Sequence, residues 1–320
     1  MSTIPTTSKS SRVPYTVVGG KRVDKALKKP SALSILVLNR GERLYKSTTF
    51  TQLEKLGTGE ILSVEGPRAG YDIENLARKF PRVRFILLKE EVNPGEKVNI
   101  GISEASGRLA FVLWNDASLV SSDLSRVVEK LDQESTACTV PVLQNPKKEL
   151  LPTVLSPAFY RKLLRIVPAQ PTRDGLPTIY PFDYCGIYNR ERFTLIGGFD
   201  HSLDNPYWQK LDFGFRCFLW GERIQTTTGI QLSYHGEVPA EDTTPDESYK
   251  IFFLKNLAIS FSRDSGTLPS TKFLTYLLKT GSGVVGAWKD FKEVRRWVEI
   301  NRYRFKQDAR SLTELWEMDQ

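Results

Sequence analysis

The side chains best placed to do chemistry in this sequence stand just after short apolar runs. Asn115 and Asp116 follow Leu109 to Trp114, Asn39 and Arg40 follow Leu33 to Leu38, and Glu65 follows the run from Glu60 to Val64. His235, one of two histidines, follows Ile230 to Tyr234. A strand buried on both faces reads as a continuous apolar run, and ligands of parallel α/β sheets sit beyond the carboxyl ends of such strands. Carboxylates in that position can hold a divalent cation or take a proton from a hydroxyl. Asp212 and Arg216 lie four residues apart and can pair on one helix face. Turn capping and ordinary loop polarity are the competing explanations for these groups.

The elements that must position them follow from periodicity. Val98, Ile102 and Ala105 recur at helical spacing before Gly107. Leu33–Leu38, Glu60–Val64, Val83–Leu88 and Leu109–Trp114 read as strands that alternate with helices carrying Leu44, Leu53 and Leu56, then Ile73, Leu76 and Phe80. That alternation is the mark of βαβ units. Ser122-Asp123 caps a helix with Leu124, Val127 and Leu131, and Ala137–Leu143 is a further strand. The proline-rich stretch from Gln144 to Pro181 is long for a connection, with only Phe159 to Val167 reading as helical. Beyond Pro269, Phe273 to Leu278 and Trp288 to Val298 predict two amphipathic helices.

Composition bounds the rest. The 320 residues are 40% hydrophobic and 26% charged, as in ordinary globular proteins. No apolar stretch is long enough to span a bilayer and no hydrophobic signal core opens the chain, so a cytoplasmic location is expected. The net charge of +8 is unevenly spread: residues 1–30 carry seven basic groups against one acidic, residues 271–320 ten against seven, and the remainder 28 against 29. A nucleic-acid-binding fold would carry its excess on the folded body. Basic ends fit solubility or a peripheral hold on anionic lipid. Three scattered cysteines support neither a disulfide framework nor a zinc site.

The run NIGISEASGRLAFVLWNDAS, from Asn99 to Ser118, resembles the block of family 2 glycosyltransferases in which an Asn-x-Gly helix and an Ala-x-Gly turn lead into a strand ending at an Asp-x-Asp metal site. Gly197-Gly198-Phe199-Asp200 is similar to that family's Gly-Gly-Phe-Asp segment, and Asp212 and Arg216 match its Glu-Asp-x-Asp-Leu-x-x-Arg helix. The resemblance implies an α/β GT-A fold: a mixed, mostly parallel sheet flanked by helices over residues 31–264. A disordered basic tail (1–30) precedes it and C-terminal amphipathic helices (265–320) follow. It also implies a nucleotide-diphospho-sugar donor, a saccharide or lipid-linked acceptor, and a divalent metal, Mn2+ or Mg2+, on Asp116 and His235. Glu65 falls where the family contacts base or ribose, with Asn39, Arg40, Asn99 and Asn115 facing the same crevice. The chain departs from the pattern in two places. Asn115 and Ala117 stand at the outer positions of the metal motif, and Gln209-Lys210 replaces the Glu-Asp pair that supplies the base, leaving Asp204 and Asp212 as candidates.

Three readings follow. One is a cytoplasmic glycosyltransferase of bacterial envelope polysaccharide assembly. The second is a catalytically impaired protein of the same fold that binds nucleotide or glycan. A nucleotidyltransferase-like enzyme is third, and Asn39-Arg40-Gly41 is thin for its glycine-rich phosphate loop.

Overall fold

The computed structural model describes residues 13–20, 32–40, 46–57, 59–67, 73–133, 136–161, 163–280 and 283–318. Gly41, Leu44 and most of the expected basic tail lie outside them. In chain order the strands are β1 (Tyr15–Gly19), β2 (Leu33–Leu38), β3 (Glu60–Glu65), β4 (Val83–Leu88), β5 (Leu109–Trp114), β6 (Ala117–Ser122), β7 (Cys138–Gln144), β8 (Val154–Tyr160), β9 (Leu163–Ala169), β10 (Gly186–Asn189), β11 (Ile224–Tyr234), β12 (Ser260–Ser262) and β13 (Ser265–Thr267). The helices are α1 (Lys46–Glu54), α2 (Ile73–Lys79), α3 (Pro94–Glu104), α4 (Leu124–Gln133), α5 (Arg190–Ile196), α6 (Pro206–Leu219), α7 (Glu247–Phe252), α8 (Lys272–Thr280), α9 (Val284–Asn301) and α10 (Ala309–Met318).

Among the described residues, nine strands form one mixed sheet in the order β1-β4-β3-β2-β5-β10-β7-β11-β6. Strands β4, β3, β2 and β5 run parallel, while β10 enters antiparallel between β5 and β7. The chain leaves β2 toward β3 on one side and meets β5 on the other. The carboxyl ends of β2 and β5 therefore flank the point where an open sheet holds ligands. Every residue of β2, β3 and β5 is buried, as their apolar runs require.

Helix α3 shows why the Asn-x-Gly block has its form. Asn93 caps it by accepting from Glu96 N, with Pro94 at the first turn. Gly101 lies against β2, where a Cβ would stand 2.4 Å from the Leu36 methyls. Asn99 donates to Phe199 O and accepts from Phe199 N, at 2.8 and 2.9 Å, tying α3 to the Gly-Gly-Phe-Asp segment. Asn99 is thus a brace between elements; it does not line the crevice.

The structure departs from the sequence reading in three places. Residues 15–19, expected within a disordered tail, pair antiparallel with β4, and the Tyr15 hydroxyl donates to Glu104. Phe159 to Val167, expected to be helical, belongs to the β8–β9 hairpin, which turns at Arg161 with φ 48°. Phe159, Leu163 and Val167 are spaced by four, which satisfies helix and strand periods alike, and the alternating exposure along β9 identifies the period of two. A third C-terminal helix, α10, joins the two expected, with Trp316 packed edge-on to Phe218 of α6.

Candidate active site

At the tip of β2, Arg40 reaches across to the tip of β5. Its backbone N donates to Asn115 Oδ1 at 3.1 Å, Nε to Asp116 Oδ2 at 2.8 Å and Nη2 to Asp116 Oδ1 at 3.1 Å. The far side of the guanidinium pairs with Asp183, Nη1 to Oδ1 at 2.9 Å and Nη2 to Oδ2 at 2.8 Å. Trp114 and Tyr234 lie under the same guanidinium, with ring centroids 4.3 and 5.6 Å from Cζ. Burial opposes the charge, but the hydrogen bonds and charges of Asp116 and Asp183 outweigh it and raise the Arg40 pKa.

Asp183 had no signal in the sequence beyond being an acid just after the proline-rich stretch. It adopts φ 49°, ψ 32°, and Tyr184 follows at φ 61°. Two consecutive non-glycine residues in the left-handed region are costly and cluster where surrounding structure over-determines them. Here the Trp114 indole donates to Asp183 O and the Tyr234 hydroxyl to Asp183 Oδ2, both at 2.8 Å.

Arg40 and Asp183 face a cavity of about 390 Å³, with Asn39, Lys97, Lys210 and Glu241 also on its wall. Lys97 Nζ donates to Asn39 O at 3.3 Å, and burial lowers its pKa, opposed by Glu91 and Glu65. Lys210, 4% exposed, holds Glu241 at 2.7 and 3.0 Å and lies over the rings of Tyr180, Phe182 and Tyr184. The family-like base position thus carries a cation, and the carboxylate it meets comes from the loop after β11. Gln209 is fully buried, with its amide on Gly95, Tyr184, Asn93 and Asp200.

The expected site residues divide accordingly. Arg40, Asn39, Asn115 and Asp116 come together at the β2 and β5 tips, and His235 N donates to Asp116 O at 2.8 Å. The exposed His235 therefore joins the cluster through its backbone. Glu65 does not face the crevice: it is fully buried, accepting from Asn39 and Ser63 and paired with Lys46. Because Glu65 and Ser63 hold Asn39, its role is to set that side chain.

Neither candidate base lines the crevice. Asp204 is exposed in the turn before α6. Asp212 is completely buried, 2.8 Å from Arg216 Nε, 2.8 Å from Asn256 Nδ2 and 3.5 Å from Lys255 Nζ. Arg216 in turn donates to Ile196 O and Gly198 O, and Lys255 pairs with Asp200 at 2.7 Å. A π-helical turn after α7, at Phe253–Leu257, delivers Lys255 and Asn256 to the same network. The motif residues Gly198, Asp200, Asp212 and Arg216 are therefore one buried brace.

Burial would push the Asp200 carboxyl up, but Lys255, Ser202 and Arg216 outweigh it and hold it well below the usual range. Its stabilisation is fully present above the unfolded value of about 3.9 and is lost as pH falls toward the folded value. Unfolding free energy should fall between about pH 5 and about pH 2, and Asp200→Asn should flatten that slope in denaturant titrations.

The donor set does not fit a divalent ion. Both oxygens of Asp116 are engaged by Arg40, the flanking positions hold Asn115 and Ala117, and among the described residues no group of three His, Cys, Asp or Glu side chains is arranged for a metal. Oxygen-ligated cations need several free donors, and the Arg40 guanidinium engages both oxygens of Asp116. Wild-type thermal stability should therefore be insensitive to Mn2+. Arg40→Ala, which leaves Asp116 and Asp183 facing each other unneutralised, should gain Mn2+-dependent stability, roughly 2.7 kcal/mol at a hundredfold excess over Kd. Differential scanning fluorimetry with and without EDTA would show it.

This mixed sheet with its flanking helices has the GT-A fold. Residues 71–194 match the model for glycosyl transferase family 2. Among solved structures, GalNAc-T7 with UDP, GalNAc and Mn2+ is similar at TM-score 0.63 and 12% identity, over 91% of this chain and 58% of that one. Staphylococcus aureus TarS 1-349 in complex with UDP-GlcNAc is similar at TM-score 0.50 and 12% identity, over 90% and 92% of the two chains. The chain thus spans little more than half of the first of these. No curated protein sequence matches it. The match agrees with the family read from the motifs, and the structural likeness agrees with the fold.

Proposed function

We propose that this protein transfers a sugar from a nucleotide-diphosphate donor to a hydroxyl of a saccharide or lipid-linked acceptor. Its setting would be bacterial envelope polysaccharide synthesis on the cytoplasmic face of the membrane. The observation that carries this reading is the meeting of Arg40, Asn39, Lys97, Lys210 and Glu241 on one cavity at the strand tips. The UDP and UDP-GlcNAc bound in the similar structures support the donor class.

In this reading the charge that builds on the departing diphosphate is met by Arg40 and Lys97, with no step through a metal. The donor's phosphate oxygens would compete with Asp116 and Asp183 for the guanidinium. Glu241, oriented by Lys210, takes the proton from the acceptor hydroxyl as its oxygen attacks the anomeric carbon and the nucleoside diphosphate leaves. Turnover of a panel of UDP-, GDP- and dTDP-sugars by the full chain, in EDTA and in Mn2+, tests it. Hydrolysis or transfer from any donor supports the reading.

The second reading, a binding protein without turnover, is favoured by the Arg40 cap on Asp116 and by Lys210 at the base position. Ligand-induced stabilisation without turnover across the same panel would select it.

A further inference from the structure

Helices α8 and α9 form a hairpin that packs one face inward and leaves a second apolar face outside. Tyr276, Ala287, Phe291 and Val294 are buried. Leu274 and Leu278, one turn apart on α8, are 62% and 78% exposed. At the start of α9, Val284, Val285 and Trp288 are 62%, 86% and 54% exposed. Contiguous exposed apolar side chains of this size mark an interaction surface. Residues 271–296 carry six basic and two acidic groups, and Lys289, Lys292 and Arg296 are exposed on the same hairpin.

From this we infer that the tip of the α8–α9 hairpin docks on an anionic lipid surface, inserting Leu278, Val284 and Val285 while Trp288 and the lysines sit at headgroup depth. Apolar tip, interfacial tryptophan and flanking basic groups are the combination that holds an element in the plane of a bilayer. Lysine stems can lie along the apolar layer with their ammonium groups among phosphates. The charge argues against a second copy as the occupant, because two hairpins, each with an excess of four positive charges over residues 271–296, would repel. No helix among the described residues is long and apolar enough to cross the membrane, so the hold is peripheral. This surface stands on its own observations and is independent of the transfer chemistry.

Co-flotation of the full chain with phosphatidylglycerol–phosphatidylcholine vesicles, against phosphatidylcholine alone, tests it. Binding is expected on the anionic vesicles and should weaken with salt. The double variant Leu278→Asp and Val285→Asp should lose about 10-fold or more of that binding with an unchanged unfolding temperature, since both side chains are exposed. Lys289→Glu with Lys292→Glu should weaken it as well. Absence of wild-type binding, or equal binding by the Asp variant, would overturn the inference. So would a dimer in solution that the Val285→Asp change dissociates.

Discussion

Replacing Glu241 by Gln is expected to lower the transfer rate by about 10² to 10⁴-fold, the usual span for removal of a general base. Affinity for the nucleotide sugar should stay within about threefold, because the change removes an interaction needed only as the proton moves. The amide still offers Lys210 an oxygen, so the buried ammonium keeps an acceptor and the loop its position. Steady-state kinetics on whichever donor supports turnover would measure the rate, and calorimetry the affinity. If Glu241 served only to neutralise Lys210, the variant would lose unfolding temperature and keep its rate. Asp204→Asn, changed in an exposed turn outside the cavity, is the matched control and should leave both quantities unchanged.

Asp212→Ala has a different signature, a loss of stability of about 3–5 kcal/mol, the cost of removing one partner from a buried ion pair. Arg216 is completely buried and would be left with a charge facing protein, while Lys255, 4% exposed, keeps Asp200 at 2.7 Å. Arg216 keeps its bonds to Ile196 O and Gly198 O, which makes partial retention of the fold the expected result. Urea unfolding monitored by circular dichroism would report the loss as a lower midpoint at unchanged slope. A marginal change in stability with abolished turnover would instead restore Asp212 to the chemistry.

The reach of the sequence can be seen residue by residue. The apolar runs of β2, β3 and β5 were legible because a strand buried on both faces needs nothing but apolar side chains. Their tips were legible for the same reason, which is how Asn39, Arg40, Asn115 and Asp116 were found. Asp212 and Arg216 were readable as a pair from spacing alone. Glu65 stands at the strand tip that its sequence position indicates, and the structure shows its carboxylate accepting from Asn39 and Ser63 and paired with Lys46.

Asp183, Lys97, Lys210 and Glu241 were beyond that reach. They arrive from a strained turn, from α3, from α6 and from the loop after β11, at sequence separations of 27 to 144 residues, and no local pattern brings them together. Lys210 even read as a loss, a cation where a base belongs, until Glu241 was seen beside it. By itself the sequence determined the alternation of strand and helix, the family resemblance and the polar residues at the strand tips, because local periodicity and steric fit are written in neighbouring residues. Only the tertiary structure showed that Arg40 engages both oxygens of Asp116 and that Glu65, Asn99 and Asp212 bond to neighbouring elements away from the cavity. Charge pairing depends on which distant side chains the packed sheet brings within about 3 Å of each other, and one-dimensional spacing carries no such distance.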